Sequence, residues 1–141
     1  MPSRALFTSL SADHATPVSL YAALHTEFRF TLDPCPLGGL RLEHSIPYGS
    51  DGLKLSWAGQ RVFCNPPYGK GVAAWLEKAR EAELAVYLLP ARTDTYWFHT
   101  YALQADEIRF LRGRLNFGDR QRTKHCRARA TFPSLILVYR S

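Results

Sequence analysis

Apolar and polar positions along this chain alternate between two periods, one typical of helices and one typical of buried strands. Helical spacing of apolar residues starts at Thr16-Pro17, a pair that predicts an N-cap followed by the first helical position. Helical spacing recurs over residues 71–83 and from residue 93 or 94 to about residue 104. Short apolar runs of strand length occupy residues 28–32, 61–64, 84–89, 107–111 and 135–139.

The order of these elements predicts the fold class. Strands that alternate with helices are typical of an α/β protein with a mostly parallel sheet. The last two strands have no helical pattern between them, so we expect an antiparallel last strand. Residues 1–13 are predicted to form an N-terminal arm, and residues 14–141 are predicted to form a single domain.

Length and composition exclude several classes of protein. The 141 residues are 46% hydrophobic and 13% aromatic, which is far from the composition of a disordered chain. No apolar run reaches the length of a membrane-spanning helix. The three cysteines are far apart and form no Cys-x-x-Cys pair, so neither a disulfide framework nor a metal site is indicated. A cytoplasmic location is therefore expected.

Positive charge is concentrated near the end of the chain. The net charge is +6, and the stretch from Arg109 to Arg129 contains eight basic residues and one acid, Asp119. Such a stretch suits the phosphate backbone of a nucleic acid. The alternative interpretation is a solvated basic surface that has no partner.

The run Asn65-Pro66-Pro67-Tyr68 is the strongest functional signal. It follows a strand pattern and precedes a helical one. Prolines fix φ and lack a backbone donor, so the carbonyl groups of this turn stay available as hydrogen-bond acceptors. An amide oxygen, carbonyl groups and a flat ring together suit a planar group that carries an NH2. The alternative is a plain Pro-Pro turn with Tyr68 packed nearby.

Three predicted strands end in polar residues. Asp33 follows the first strand, Asn65 follows the second, and residues 90–94 follow the third. Ligands of open parallel sheets bind beyond the carboxyl ends of the strands, so we expect these residues to meet in one cleft. Asp33 either binds a polar ligand group there or caps a turn.

Several segments in a fixed order extend this pattern over about residues 14–139. They are Thr16-Pro17, Leu32-Asp33-Pro34-Cys35, Asp51-Gly52-Leu53 with Trp57, the Phe63–Tyr68 run, residues 89–95 with Trp97-Phe98, residues 113–117 and Phe132-Pro133-Ser134. In this order they resemble the phage-type DNA N6-adenine methyltransferases.

The resemblance implies a Rossmann-like methyltransferase fold, S-adenosyl-L-methionine as methyl donor, and transfer to the N6 amine of adenine in DNA. It implies that a flipped base is held by Asn65, Pro66 and Tyr68, with Pro67 shaping the turn. It also implies that the donor is bound by Thr16, Pro17, Asp33 and Asp51.

The chain departs from the family pattern in one region. The segment after Asp33 lacks the Gly-x-Gly spacing of a methyltransferase donor loop. Only 32 positions separate Asp33 from Asn65, which is short for a complete βαβ unit. A shortened sheet is therefore expected.

Under this interpretation the basic segment 112–131 contacts DNA. Arginine and glutamine read base edges well. The expected nucleic-acid contacts are Arg92, Arg114, Arg120, Gln121, Arg122 and Lys124. The same turn also suits an adenine in RNA or a glutamine side chain in a protein, and a third alternative is a non-catalytic DNA-binding protein with this fold.

Overall fold

A four-stranded sheet forms the centre of the molecule. The computed structural model describes residues 16–36, 45–46, 51–69, 71–115 and 132–141. The strands are β1 (Arg61–Cys64), β2 (Leu84–Pro90), β3 (Glu107–Phe110) and β4 (Ser134–Arg140). Their order in the sheet is β1-β2-β4-β3. Strands β1 and β2 are parallel, whereas β4 is antiparallel to both of its neighbours.

Within the described ranges, three short α-helices and three 3-10 turns surround this sheet. The α-helices are α1 (Val18–Phe28), α2 (Val72–Glu77) and α3 (Tyr96–Thr100), and the 3-10 turns are Gly52–Lys54, Lys78–Glu81 and Ala102–Gln104. Helix α1 ends at Arg29, which adopts a left-handed conformation and donates its N–H to the His25 carbonyl at 2.8 Å. The hydroxyl of Thr95 caps α3 by accepting from the Phe98 N–H.

The predicted starts of two helices were wrong. Pro17 is the N-cap of α1, and no side chain caps that helix, so Thr16 is not its cap. Thr95 is the N-cap of α3, instead of residue 93 or 94. Serine, threonine and aspartate all suit a cap, and local sequence does not distinguish neighbouring candidates.

The predicted strand at residues 28–32 was also wrong. Helix α1 continues through Phe28, because Tyr21, Leu24 and Phe28 share one buried helical face. Beyond the helix, the described chain forms isolated parallel bridges instead of a strand, from Leu32 to Val62 and from Asp33 to Ser45. The described part of the chain therefore contains a smaller sheet than the five predicted strands would make.

The antiparallel last strand is confirmed, but the sheet is less parallel than expected. Strands β1, β2 and β3 run in one direction. Because β4 lies between β2 and β3, β1–β2 is the parallel pairing and the other two pairings of the four strands are antiparallel. The described residues form a mixed α/β fold.

The core lies on both faces of the sheet. Alternate residues of β2 point to opposite faces, since side chains of a strand alternate. Ala85, Tyr87 and Leu89 join a cluster with α2 and α3, which we call the α2-side cluster. Leu84, Val86 and Leu88 join a cluster with α1, which we call the α1-side cluster. Five apolar residues of the predicted helical segment 71–83 are buried, and they are Val72, Trp75, Leu76, Ala79 and Ala82.

Strand register places the polar strand ends together. Cys64, the last residue of β1, pairs with Tyr87 of β2, so both strands end on the same side of the molecule. Strand β4 starts there, because its first residue Ser134 pairs with Pro90. We call this side the site end of the sheet and the opposite side the far end.

Candidate active site

Asn65 is buried at the site end and is bound to the segment that enters α1. It follows β1 directly and is 2% exposed. Its side-chain Nδ2 donates a hydrogen bond to Thr16 Oγ1 over 3.1 Å. The Thr16 hydroxyl, which was predicted to cap a helix, therefore accepts a hydrogen bond from the Asn65 amide instead. This bond orients the amide plane and joins two residues that were predicted to have different roles.

The rest of the turn forms the rim of the same site. Pro66 is buried, Pro67 is exposed and Tyr68 is half-buried. The next residue, Gly69, has a φ of 114°, a conformation that residues with a Cβ rarely adopt. The chain can therefore turn sharply from Tyr68 towards α2.

The ring of Tyr68 packs edge-on against Phe132, with ring centres 5.7 Å apart. The guanidinium of Arg92 lies 5.3 Å from the centre of the same Phe132 ring. Burial raises the pKa of the Tyr68 phenol above its usual value, and the charge of Arg92 opposes this effect. The phenol therefore stays protonated at neutral pH, and Phe132 links the turn after β1 to the loop after β2.

Asp33 is a buried carboxyl at the same end of the sheet. Its Oδ1 accepts the Cys35 N–H at 3.0 Å, and its backbone carbonyl accepts the Ile46 N–H at 3.1 Å. Burial raises the pKa of this carboxyl to about 7, whereas hydrogen bonds from Cys35 and Ser45 act in the opposite direction. The turn-capping role is thus present, and the ligand-binding role stays a prediction.

Asp51 is brought close to this strand end by a tight backbone approach. Its Oδ1 accepts the Leu53 N–H at 3.0 Å and caps the 3-10 turn. The adjacent Gly52 lies against Pro34, where an added Cβ would collide with the Pro34 carbonyl oxygen. Only glycine fits there. Asp33 and Asp51, the two acidic residues expected to bind the donor, are therefore each adjacent to a residue of the Pro34–Gly52 contact.

Three arginines near the site end are exposed. They are Arg92 after β2, and Arg112 and Arg114 after β3. None of them forms an ion pair with the residues that the structure describes. Of the expected nucleic-acid contacts, Arg92 and Arg114 thus lie exposed at the site end, whereas Arg120, Gln121, Arg122 and Lys124 lie outside the described residues.

Two residues of this site were not assigned a role from sequence. Phe132 contacts both Tyr68 and Arg92, and Ser134 is 1% exposed at the start of β4. The available signal was the Phe132-Pro133-Ser134 segment, which ends a basic stretch and begins a strand. Nothing in that pattern indicates which other segment the two side chains meet.

The match to a known family decides the family of this chain. The sequence matches the family described as DNA N-6-adenine-methyltransferase (Dam) over residues 7–141. The chain belongs to this family. Membership in the Dam family confirms the family expected from the order of the sequence motifs and indicates a DNA adenine methyltransferase that acts on DNA. No curated protein and no solved structure shows a significant match to the chain.

The described residues contain neither a membrane-spanning helix nor a metal-binding cluster. No helix in the described ranges is both long enough and apolar enough to cross a bilayer. Within those same ranges, no group of three or more histidine, cysteine or acidic residues is arranged to hold a metal ion. A groove of about 690 Å³ lies at the far end, between Leu76, Tyr101 and Tyr139, and contains none of the predicted site residues.

Proposed function

We propose that this Dam-family protein transfers a methyl group from S-adenosyl-L-methionine to the N6 amine of adenine in DNA. The observation that carries the proposal is the position of Asn65, whose side chain is buried, hydrogen-bonded to Thr16 and followed by Pro66-Pro67-Tyr68 at the site end. Asn65, Pro66 and Tyr68 would hold the target base, and Pro67 would shape the turn.

The chemistry of the amine explains why such a turn is useful. The lone pair of an adenine amine is delocalised into the ring, so the nitrogen is a poor nucleophile. Acceptors on its two N–H bonds favour a pyramidal nitrogen with a localised lone pair. The Asn65 amide oxygen and a carbonyl of the proline turn are suitable acceptors. Orientation supplies much of the remaining acceleration, since transfer needs the nitrogen aligned with the methyl group.

The burial of Asn65 supports a mechanism in which the base leaves the DNA stack. Asn65 is 2% exposed, so an adenine paired within a duplex cannot reach it. Enzymes that act on a base extrude it into a pocket. Tyr68 offers a flat face on which such a base can stack, and stacking of this kind contributes about 1–3 kcal/mol.

The donor side of the proposed site contains Asp33, Asp51, Thr16 and Pro17. When bound, S-adenosyl-L-methionine supplies an electrophilic methyl group on a positively charged sulfonium and also carries an ammonium group. A buried carboxyl with a raised pKa fits a cationic ligand, because a nearby positive charge stabilises its ionised form. Asp33 would therefore ionise when the donor binds, and Asp51 would contact its adenosine part.

The DNA surface is proposed to include Arg92 and Arg114 together with Arg120, Gln121, Arg122 and Lys124 of the basic segment. Support comes from the exposed arginines at the site end, which have the charge needed to bind phosphates. Base-edge contacts by Arg120, Gln121, Arg122 or Lys124 would supply sequence preference.

A methyl-transfer assay tests the proposal directly. Purified protein is incubated with donor carrying a tritiated methyl group and with DNA, RNA or a glutamine-containing protein. Label is expected in duplex DNA, in N6-methyladenine after digestion to nucleosides, and not in a duplex that contains no adenine. Label in RNA or protein instead of DNA would support the alternative substrates. Donor or DNA binding without any transfer would indicate a non-catalytic relative.

A further inference from the structure

The hydroxyl of Ser134 is unusual among the buried polar groups of this protein. Within the part of the chain that the structure describes, Ser134 Oγ has no hydrogen-bond partner, although the residue is only 1% exposed. A buried hydroxyl without a partner destabilises the folded state, whereas alanine would fill nearly the same volume without that cost. The position therefore suits a hydrogen-bond partner that comes from outside the chain.

The backbone around Ser134 is firmly held. Ser134 pairs with Pro90 at the first position of β4, and its carbonyl accepts the Leu111 N–H at 3.1 Å. The preceding Pro133 carbonyl accepts the Ala91 N–H at 2.9 Å. These bonds tie the start of β4 to the loops after β2 and β3, so the hydroxyl has a defined position at the site end.

The strand period shows which face this hydroxyl occupies. Ile136 and Val138, two and four residues later, belong to the α1-side cluster, so Ser134 faces the same side of the sheet. Helix α1 covers this face, and Asn65 donates a hydrogen bond to Thr16, two residues before that helix. Ser134 and Asn65 therefore lie on one face and at one end of the sheet.

The aromatic pair of the site lies on this face too. Phe132 is two residues before Ser134, belongs to the α1-side cluster and packs against Tyr68. Strands β1 and β4 are separated by β2 alone, which places them about 10 Å apart. An adenine held at its amine by Asn65 would fit within this interval, and the ring nitrogens beside its amine would be the atoms presented to Ser134.

We propose that Ser134 is a base-contacting residue, whose hydroxyl donates a hydrogen bond to the ring nitrogen N1 or N7 beside the amine of the target adenine. This inference rests on the proposed function, because it assigns a second polar contact in the same base site. Asn65 would bind the amine, and Ser134 would bind a ring nitrogen beside it. A contact to N1 would separate adenine from guanine, whose N1 carries a hydrogen, whereas a contact to N7 would separate purines from pyrimidines. The bound adenine would then supply the hydrogen-bond partner that the buried Ser134 hydroxyl lacks in the DNA-free protein.

Adenine analogues test this contact atom by atom. Duplexes carry adenine, 1-deazaadenine or 7-deazaadenine at the methylated position, and both the dissociation constant and the single-turnover methylation rate are measured. With one of the two analogues, the affinity or the methylation rate of wild type is expected to fall about 5- to 30-fold, which is the effect of one hydrogen bond. The same quantity is expected to be lower by a similar factor for Ser134→Ala with adenine. It should not fall further when that analogue replaces adenine.

Stability of the DNA-free protein gives a second readout that a purely structural role would not produce. Removal of an unsatisfied hydroxyl should raise the Tm of Ser134→Ala by about 2–6 °C. Ile136→Val is the matched control, because it shortens a buried side chain on the same strand and face. This control should lower the Tm and leave the preference for adenine over each analogue unchanged.

Two results would overturn the inference. One is that wild type binds and methylates both analogues as well as adenine. The other is that the Ser134→Ala variant discriminates between adenine and an analogue as strongly as wild type does. The binding measurement needs no methyl transfer. A wild type that binds these duplexes but methylates none of them would therefore defeat the proposed function, while the analogue dependence of binding would still decide the role of Ser134.

Discussion

The two ends of the sheet differ in whether their polar groups are buried or form partly exposed ion pairs. Four polar residues are buried in the described part of the chain, namely Thr16, Asp33, Asn65 and Ser134, and all four lie at the site end. Ion pairs between described residues lie instead towards the far end, and they are Arg61–Glu83, Lys78–Glu81, Arg109–Glu27, Arg109–Glu107 and Arg140–Glu107.

Arg109 shows how charge is used away from the site. Its guanidinium binds both carboxylate oxygens of Glu27 at 2.7 and 2.6 Å and also binds Glu107 at 2.6 Å. It lies 5.2 Å from the ring centre of Phe28. Arg109 therefore joins α1 to β3, and it is not an available phosphate contact, although the sequence placed it in the basic stretch.

The difference between the two ends separates stability from function. Partly exposed ion pairs are satisfied by one another and need no ligand. Buried polar groups carry a desolvation cost that only a suitable partner offsets. The ion pairs of the far end thus help to hold the fold together. At the site end, Thr16, Asp33 and Asn65 have partners within the protein, whereas the Ser134 hydroxyl keeps a cost that the proposed substrate would offset. Substitutions at the two ends should differ accordingly.

The largest effect is expected for Asn65→Ala at the site end. Loss of an acceptor for the target amine should lower the methylation rate by about 100-fold or more, because that contact acts in the transition state. Asn65→Asp keeps oxygen acceptors and should retain more activity. Single-turnover assays measure the rates, and calorimetry should show unchanged donor binding. Normal turnover by Asn65→Ala would remove the basis for the base-holding turn.

Asp33→Asn should change stability and donor binding in opposite directions. The folded protein holds the Asp33 proton up to about pH 7, whereas the unfolded carboxyl loses it near pH 3.8. Between these values the unfolded chain binds fewer protons, so stability falls as pH rises through this window. The side chain of the Asp33→Asn variant does not titrate, so the variant does not lose stability in this pH range. At pH 8 it should be more stable than wild type, by roughly 2–4 kcal/mol.

Denaturant titrations of both proteins from pH 4 to pH 8 measure this difference. The far end responds in the other direction, since hydrogen bonds from Arg109 lower the pKa of Glu27 and of Glu107. Their stabilisation is present above about pH 4.5 and is lost below it, as pH falls through the lowered pKa of each carboxyl. Calorimetry should show weaker binding of S-adenosyl-L-methionine to Asp33→Asn. Unchanged affinity would move the donor site away from Asp33.

Tyr68 should show a smaller effect that depends on the ring and not on the hydroxyl. Tyr68→Ala should cost about 1–3 kcal/mol in transition-state stabilisation, the range for base stacking. Tyr68→Phe should keep most activity. The ratio kcat/KM on duplex DNA is the measurement. If Tyr68→Ala matched wild type there, Tyr68 would be a packing partner of Phe132 and nothing more.

Neutralising Arg120, Arg122 and Lys124 together should weaken DNA binding and leave donor binding unchanged. The slope of log affinity against log salt should flatten by about 0.9 for each phosphate that is no longer neutralised. If these residues read bases, affinity should instead fall mainly on the preferred sequence. Arg80→Gln is the control, because Arg80 is exposed near the far end. An unchanged slope with unchanged preference would make this segment a solvated surface.

Glu27→Gln at the far end should have the smallest effect. It removes a partly exposed ion pair with Arg109, whose other partner Glu107 remains, so the expected loss is within about 1 kcal/mol of unfolding free energy. Methylation should be unchanged. Thermal unfolding and the methylation assay measure the two quantities. A large loss of activity would mean that the two ends are coupled.

Much of the fold was predictable from local periodicity. The buried face of residues 72–82, the strands at 61–64, 84–89, 107–111 and 135–139, and the antiparallel last strand followed from spacing along the chain. Side-chain period depends on the geometry of helices and strands themselves, so a short window of sequence contains the signal. The order of the motifs likewise sufficed for the Dam family.

The partners of the site residues depended on the tertiary structure. Thr16 and Asn65 are 49 positions apart, and Arg109 and Glu27 are 82 positions apart. Local pattern made Thr16 a helix cap and Arg109 a phosphate contact, since a side chain's preference for a partner does not reveal where that partner lies. Chain folding brings distant segments together, and it alone placed Phe132 on Tyr68 and Ser134 on the face that holds Asn65.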